Sequence, residues 1–187
     1  MKNLAIFASG SGSNAEEIIK YFKTSDKGQV RLICSNKAGA YVLQRADNHK
    51  IPSLAFNKAA FENGNNILEA LQNHAIDYII LAGFLWKIPA YLIDNYQDKI
   101  INIHPALLPQ YGGKGMYGMH VHQAVVKNNE TETGITIHYV NEHYDEGAII
   151  FQAKCEVLAN DTAEDVAKKI HELEMEYFPK VVDELLK

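Results

Sequence analysis

Short, continuous apolar runs recur along the first hundred residues, each followed by a segment with helical spacing. "LAIF" at 4–7, "VRLICS" at 30–35, "YIIL" at 78–81 and "IINI" at 100–103 show little of the in-out alternation of a half-solvated strand. Such runs suit strands buried on both faces, as in a parallel sheet covered by helices. Between them, "NAEEIIKYFKT" places Ala15, Ile18, Ile19 and Phe22 on one helical face, with Glu16 and Glu17 in the first turn where the helix dipole favours acids. "AYVLQRADNHK" and "NNILEALQNHA" read as further helices, the latter with Ile67, Leu68 and Leu71 together. "IPSLAF" reads as a short strand, and "IPAYLIDNY" as a short helix begun near Pro89. This alternation predicts an α/β fold with a doubly wound, mainly parallel sheet, functional groups lying at the carboxyl ends of the strands.

The last third breaks the pattern. "TGITIHYVNE" and "AIIFQAKCEV" flank "HYDEG" and read as an antiparallel pair. "NDTAEDVAKKIHELEMEYFPKVVDELLK" is a long amphipathic C-terminal helix. Asp161 with Glu164 suggests a capping box, and Pro179 is expected to kink or split it. The 187 residues suffice for one domain, 1–187.

Composition excludes several classes. A formal net charge of −5 gives no broad basic face for nucleic acid. No apolar stretch approaches a membrane span and no signal peptide is expected, so the reading is cytoplasmic with no membrane partner. Cys34 and Cys155 lack ligand spacing and read as reduced, buried, small hydrophobes.

The first apolar run leads into "SGSGSN", residues 9–14, and then a helix. Strand, glycine-serine loop and helix in that order form an anion site of backbone N–H groups. A triphosphate loop requires Gly-Lys-Ser/Thr, but Gly12 is followed by Ser13 and Asn14. Gly10, Gly12 and Ala15 formally meet the dinucleotide fingerprint, but the second strand ends in Ser35, Asn36 and Lys37, without the acid that holds a ribose. A small phosphomonoester remains, cradled by loop amides and by Ser11, Ser13 and Asn14. A tight turn with no ligand is the competing reading.

In "INIHPALLP", Asn102 and His104 are two apart on a strand and share a face. An amide donor beside an imidazole can stabilise an oxyanion and move a proton. Asp145, in the turn before Gly147, can meet that strand end. Desolvation there is expected to disfavour its charged form, with a protonated His104 pulling the other way. Singly, each residue is more often a satisfied turn group. Beside a phosphate loop they suggest acyl-type transfer in which the substrate supplies the nucleophile, since no G-x-S-x-G elbow exists. His120 and His122 could bind a metal if extended, but no further ligand sits at recognisable spacing, so no metal is expected.

These stretches together resemble the phosphoribosylglycinamide formyltransferases, folate-dependent enzymes of purine synthesis. The likeness rests on "SGSGSN", "SNK" at 35–37, "LAGF" at 81–84, "NIHPALLP" at 102–109, "HVH" at 120–122, "GITIHYV" at 134–140 and "DEGAII" at 145–150. It implies a Rossmann-like fold, with 1–100 as the phosphate and ribonucleotide half and 101–187 as the catalytic and folate half. It implies 10-formyltetrahydrofolate as co-substrate and glycinamide ribonucleotide as acceptor, and allows a weak homodimer. By position, Ser11, Gly12, Ser13 and Asn14 would hold the phosphate. Asn102, His104 and Asp145 would be catalytic, and Glu174 would hold the glycinamide end. Leu85, Trp86, Ile88, Tyr139, Val140 and Asn141, with Asn102 and Asp145, would line the folate pocket. Two departures stand out. Leu85-Trp86-Lys87 replaces the common Met-Arg after "LAGF". "QYGGKGMYGMHVH" lengthens the connection to the paired histidines, and its glycines predict a mobile flap at 112–118. Alternatives are a formyltetrahydrofolate hydrolase, a sugar or tRNA formyltransferase, and a non-catalytic phosphometabolite-binding module.

Overall fold

The computed structural model describes residues 1–186. Its elements run β1 (Lys2–Phe7), α1 (Ser13–Phe22), β2 (Gly28–Ser35), α2 (Tyr41–Asn48), β3 (Ser53–Ala55), α3 (Lys58–Asn63) and α4 (Asn65–Asn73). Then follow β4 (Tyr78–Leu81), α5 (Ala90–Asn95), β5 (Ile100–His104), α6 (Met119–Lys127), β6 (Glu132–Tyr139), β7 (Ile149–Glu156) and α7 (Ala163–Leu185). The seven strands form one sheet in the order β3-β2-β1-β4-β5-β6-β7. β1 to β5 pair in parallel, and β6 and β7 extend the sheet antiparallel. The chain is α/β and doubly wound, as the apolar runs imply.

The continuous apolar runs are explained by helices on both faces. In β1, Leu4 and Ile6 enter a core shared with Ile18 and Phe22 of α1 and Phe178 and Val182 of α7. Ala5 and Phe7 enter the opposite core, with Ile67 and Leu71 of α4 and Leu92 of α5. All four β1 residues are fully buried. The strand order reverses between β2-β1 and β4-β5, which opens a crevice beyond the carboxyl ends of β1 and β4.

Several local expectations need correction. The cap of α7 lies one residue later: Thr162 accepts from the Asp165 N–H, and the Asp165 carboxylate accepts from the Thr162 N–H. Asp161 instead accepts from the Leu158 N–H and the Lys169 ammonium. Pro179 does not split α7, which runs on from Ala163 to Leu185. The missing N–H costs a helix bond, but Phe178, Val181 and Val182 on either side are buried in the core, which favours keeping the helix continuous. α3 and α6 are helices where no helix was expected. Cys34 is fully buried, but Cys155 is only half-buried on the edge strand β7. Among the described residues no helix is long and apolar enough to cross a membrane.

Candidate active site

The loop after β1 is held from behind. Gly12 sits at φ 71°, the left-handed region, and a Cβ there would fall 2.5 Å from Val42 Cγ2 of α2. Glycine is thus required by the turn and by the approach of α2, and its bare side does not face the crevice. The Arg45 Nε–H donates to the Ser11 carbonyl at 2.8 Å. Glu16 of α1 fixes that guanidinium at 3.2 Å and accepts from His49 Nε2 at 3.0 Å. Burial pushes the Glu16 carboxyl up, but bonds and charge from His49 and Arg45 outweigh it and hold it below its usual range. The first amides of α1 have no intrahelical partner and remain available to an anion.

A cavity of about 800 Å³ lies over the carboxyl ends of β1, β4 and β5. Ser11, Asn14, Asn102, His104, Asp145 and Glu174 all line it, so residues up to 163 positions apart share one space. Gly12 and Ser13 are not among its lining residues. Asn14 Nδ2–H donates to Glu174 Oε2 at 2.9 Å, joining the loop to α7.

Asn102 and His104 share a face of β5, and Asp145 reaches them from the β6–β7 connection. Asp145 Oδ2 lies 3.6 Å from His104 Nδ1, and Oδ1 lies 3.6 Å from His138 Nε2. The Gly113 N–H donates to Asp145 Oδ2 at 2.9 Å. Asp145 is in the left-handed region at φ 56°. Two residues on, a Cβ at Gly147 would overlap the Tyr139 carbonyl, so this return of the chain requires glycine.

The His104 ring is 5% exposed and its Nε2 lies 2.7 Å from the Tyr111 carbonyl. A carbonyl only accepts, which assigns the proton to Nε2 and leaves the Nδ1 lone pair towards Asp145. Burial lowers the His104 pKa, opposed by the Asp145 charge and the Tyr111 carbonyl. For Asp145 the expectation from desolvation needs correction. Burial is the largest single influence and pushes the carboxyl up, but the adjacent His138 ring, the His104 charge and the Gly113 amide together bring it below its usual value.

His138 is the neighbour that sequence reasoning missed. It pairs with Asn102 in the β5–β6 register, and Asn102 Nδ2 lies 3.1 Å from its Nε2. Its Nδ1 lies 2.8 Å from the Tyr139 carbonyl, so Nε2 accepts from Asn102. Alternation in "GITIHYV" opposite "INIHP" was the available signal. His122 was set aside with the metal reading. The "HVH" pair lies on α6 rather than on extended chain, and two residues apart on a helix the rings diverge. His122 is 6% exposed, lines the cavity and has no partner at Nδ1 among the described residues. Burial lowers its pKa, against the pull of Glu174.

A second pocket, of about 70 Å³, adjoins the first. Trp86, Ile88, Asn102, Val140, Asn141 and Asp145 line it, together with His138 and Lys87. Leu85 lines the large cavity instead. Tyr139 lines neither: strand alternation turns its ring away from the His138 side, onto the core holding Ile101 and Ile137.

A doubly wound sheet whose strand ends present a phosphate-type loop, an Asn-x-His pair and a facing aspartate defines a group-transfer enzyme of the formyl transferase class. The family described as "Formyl transferase" matches residues 2–182. Phosphoribosylglycinamide formyltransferase of Bacillus subtilis is 42% identical over 194 residues, covering 100% of this chain and 95% of that protein. The chloroplastic enzyme of Vigna unguiculata is 41% identical, and the chain covers 61% of its length. The crystal structure of glycinamide ribonucleotide transformylase 1 from Geobacillus kaustophilus superposes with a TM-score of 0.90 at 37% identity, over 100% of both chains. The chain belongs to the phosphoribosylglycinamide formyltransferases.

Proposed function

We propose that this protein transfers the formyl group of 10-formyltetrahydrofolate to the amine of glycinamide ribonucleotide. The observation that carries the reading is one cavity lined by Ser11 and Asn14, by Glu174, and by Asn102, His104 and Asp145. The phosphate would lie on the loop amides after β1, the glycinamide amine near Glu174, and the folate ring towards Trp86, Ile88 and Val140.

The amine attacks the formyl carbon, a C–N bond forms, and the carbonyl oxygen becomes an oxyanion. One Asn102 N–H is occupied by His138, and the other is available to that oxygen. The ammonium proton passes to the His104 Nδ1 lone pair. The imidazolium is then stabilised by the Asp145 carboxylate across the 3.6 Å gap, directly or through water. From there the proton reaches the folate N10 as its bond to the formyl carbon breaks. No covalent enzyme intermediate is required. The lowered pKa of His104 suits a base that is free at neutral pH, and the lowered pKa of Asp145 keeps it ionised.

The test is to incubate the protein with 10-formyltetrahydrofolate, with and without glycinamide ribonucleotide. Deformylation that requires the ribonucleotide supports transfer. Equal deformylation without it identifies a hydrolase, and none in either case leaves a binding module.

A further inference from the structure

The ligands of the proposed reaction bring negative charge into a cavity that already holds Asp145 and Glu174. A phosphomonoester is close to dianionic at neutral pH. Among the described residues lining the large cavity, Lys114 is the one lysine or arginine. Lys114 belongs to the glycine-rich segment 112–118, and no ion pair or hydrogen bond engages its ammonium among the described residues. The glycines on either side, Gly113 and Gly115, sit at φ 93° and 89°. Neither has a neighbour that a Cβ would meet, so these glycines answer to the positive-φ backbone rather than to packing.

We propose that Lys114 is the cation that binds the phosphate of the ribonucleotide substrate, delivered over the cavity by the 112–118 segment. This rests on the functional reading above. Phosphate is favoured over a folate carboxylate by position. Lys114 lines the cavity shared with Ser11 and Asn14, and is absent from the small pocket of Trp86, Ile88 and Val140. The adjacent Gly113 amide holds Asp145 Oδ2. One stretch of backbone thus carries both a ligand for the phosphate and a donor to the catalytic carboxylate. Occupancy of the phosphate end would then favour the segment position in which Asp145 is held.

The experiment compares wild type, Lys114→Met and Lys114→Arg by steady-state kinetics in each substrate and by calorimetric titration with glycinamide ribonucleotide. A charge-assisted hydrogen bond to phosphate corresponds to roughly 10- to 100-fold in affinity. Lys114→Met is expected to raise KM and Kd for the ribonucleotide by about that factor and to weaken their dependence on salt. KM for the folate should stay put, and Lys114→Arg should restore most of the loss. The side chain is exposed, so circular dichroism should match wild type. Unchanged ribonucleotide affinity in Lys114→Met would overturn the proposal. So would a rise confined to the folate KM, which would move the cation to the folate tail. If wild type itself transfers no formyl group, the functional reading fails; the calorimetric comparison still decides on Lys114.

Discussion

Asp145→Asn keeps size and hydrogen-bonding capacity at the centre of the proposed proton path, and removes only charge and basicity. Its effect can be worked from the 3.6 Å separation between Asp145 Oδ2 and His104 Nδ1. Two unit charges at that distance, in an effective dielectric near 20, interact by about 4–5 kcal/mol. The carboxylate side chain is 13% exposed, so solvent screens part of this. About 3–4 kcal/mol corresponds to between two and three powers of ten in rate. The sign of the pH effect follows from the same pair. Burial lowers the His104 pKa and the Asp145 charge raises it. Without that charge burial is opposed chiefly by the Tyr111 carbonyl, so the acid limb of the rate profile should move to lower pH while the plateau falls. Single-turnover transfer across pH, paired with calorimetric binding of each substrate, measures both. Wild-type rates with an unmoved acid limb would show that Asp145 is only a turn residue.

Asn102→Ala is expected to lower turnover by about two to three powers of ten while both substrates still bind, as for loss of one oxyanion donor; steady-state kinetics with calorimetry check it. Gly12→Ala should destabilise the fold and weaken ribonucleotide binding together, because a Cβ at φ 71° meets Val42; thermal unfolding and titration read the two effects. The Glu16 carboxyl is depressed in the fold by His49 and Arg45, so its stabilisation is fully present above about pH 4.5 and is lost as pH falls through the depressed value. Glu16→Gln should therefore lower Tm at pH 7 and narrow the gap to wild type near pH 4, measured by calorimetric melting.

The parallel half of the sheet was legible because its strands are buried on both faces, and "LAIF" or "YIIL" leaves no other economical reading. Asn102 and His104 were legible from two-residue spacing at a strand end. His138 was missed because the alternation in "GITIHYV" becomes a signal only once the β5–β6 register sets it beside Asn102. α6 was hidden by the glycines before it. The wrong cap residue on α7 reflects several acids and a threonine crowded into 161–165, where tertiary contacts of Asp161 with Lys169 decide between overlapping boxes. The balance at Asp145 was beyond sequence for a like reason. Burial was foreseeable, but the Gly113 amide and the His138 ring, which reverse its sign, come from segments 32 and 7 residues away. Tyr139 illustrates the limit of transferring a segment whole: alternation sends neighbouring residues of one strand to opposite faces.

Direct transfer from folate to amine is tested most sharply by following the formyl group itself. Protein at substrate-level concentration is mixed with 10-formyltetrahydrofolate labelled in the formyl carbon, first alone and then with glycinamide ribonucleotide, and the label is traced on protein, formate and ribonucleotide. Label is expected to stay on the folate until the ribonucleotide is added, and then to pass to its amine, with none retained on the protein and none released as formate. Labelled protein, or formate released without the ribonucleotide, would contradict amine attack guided by Asn102, His104 and Asp145.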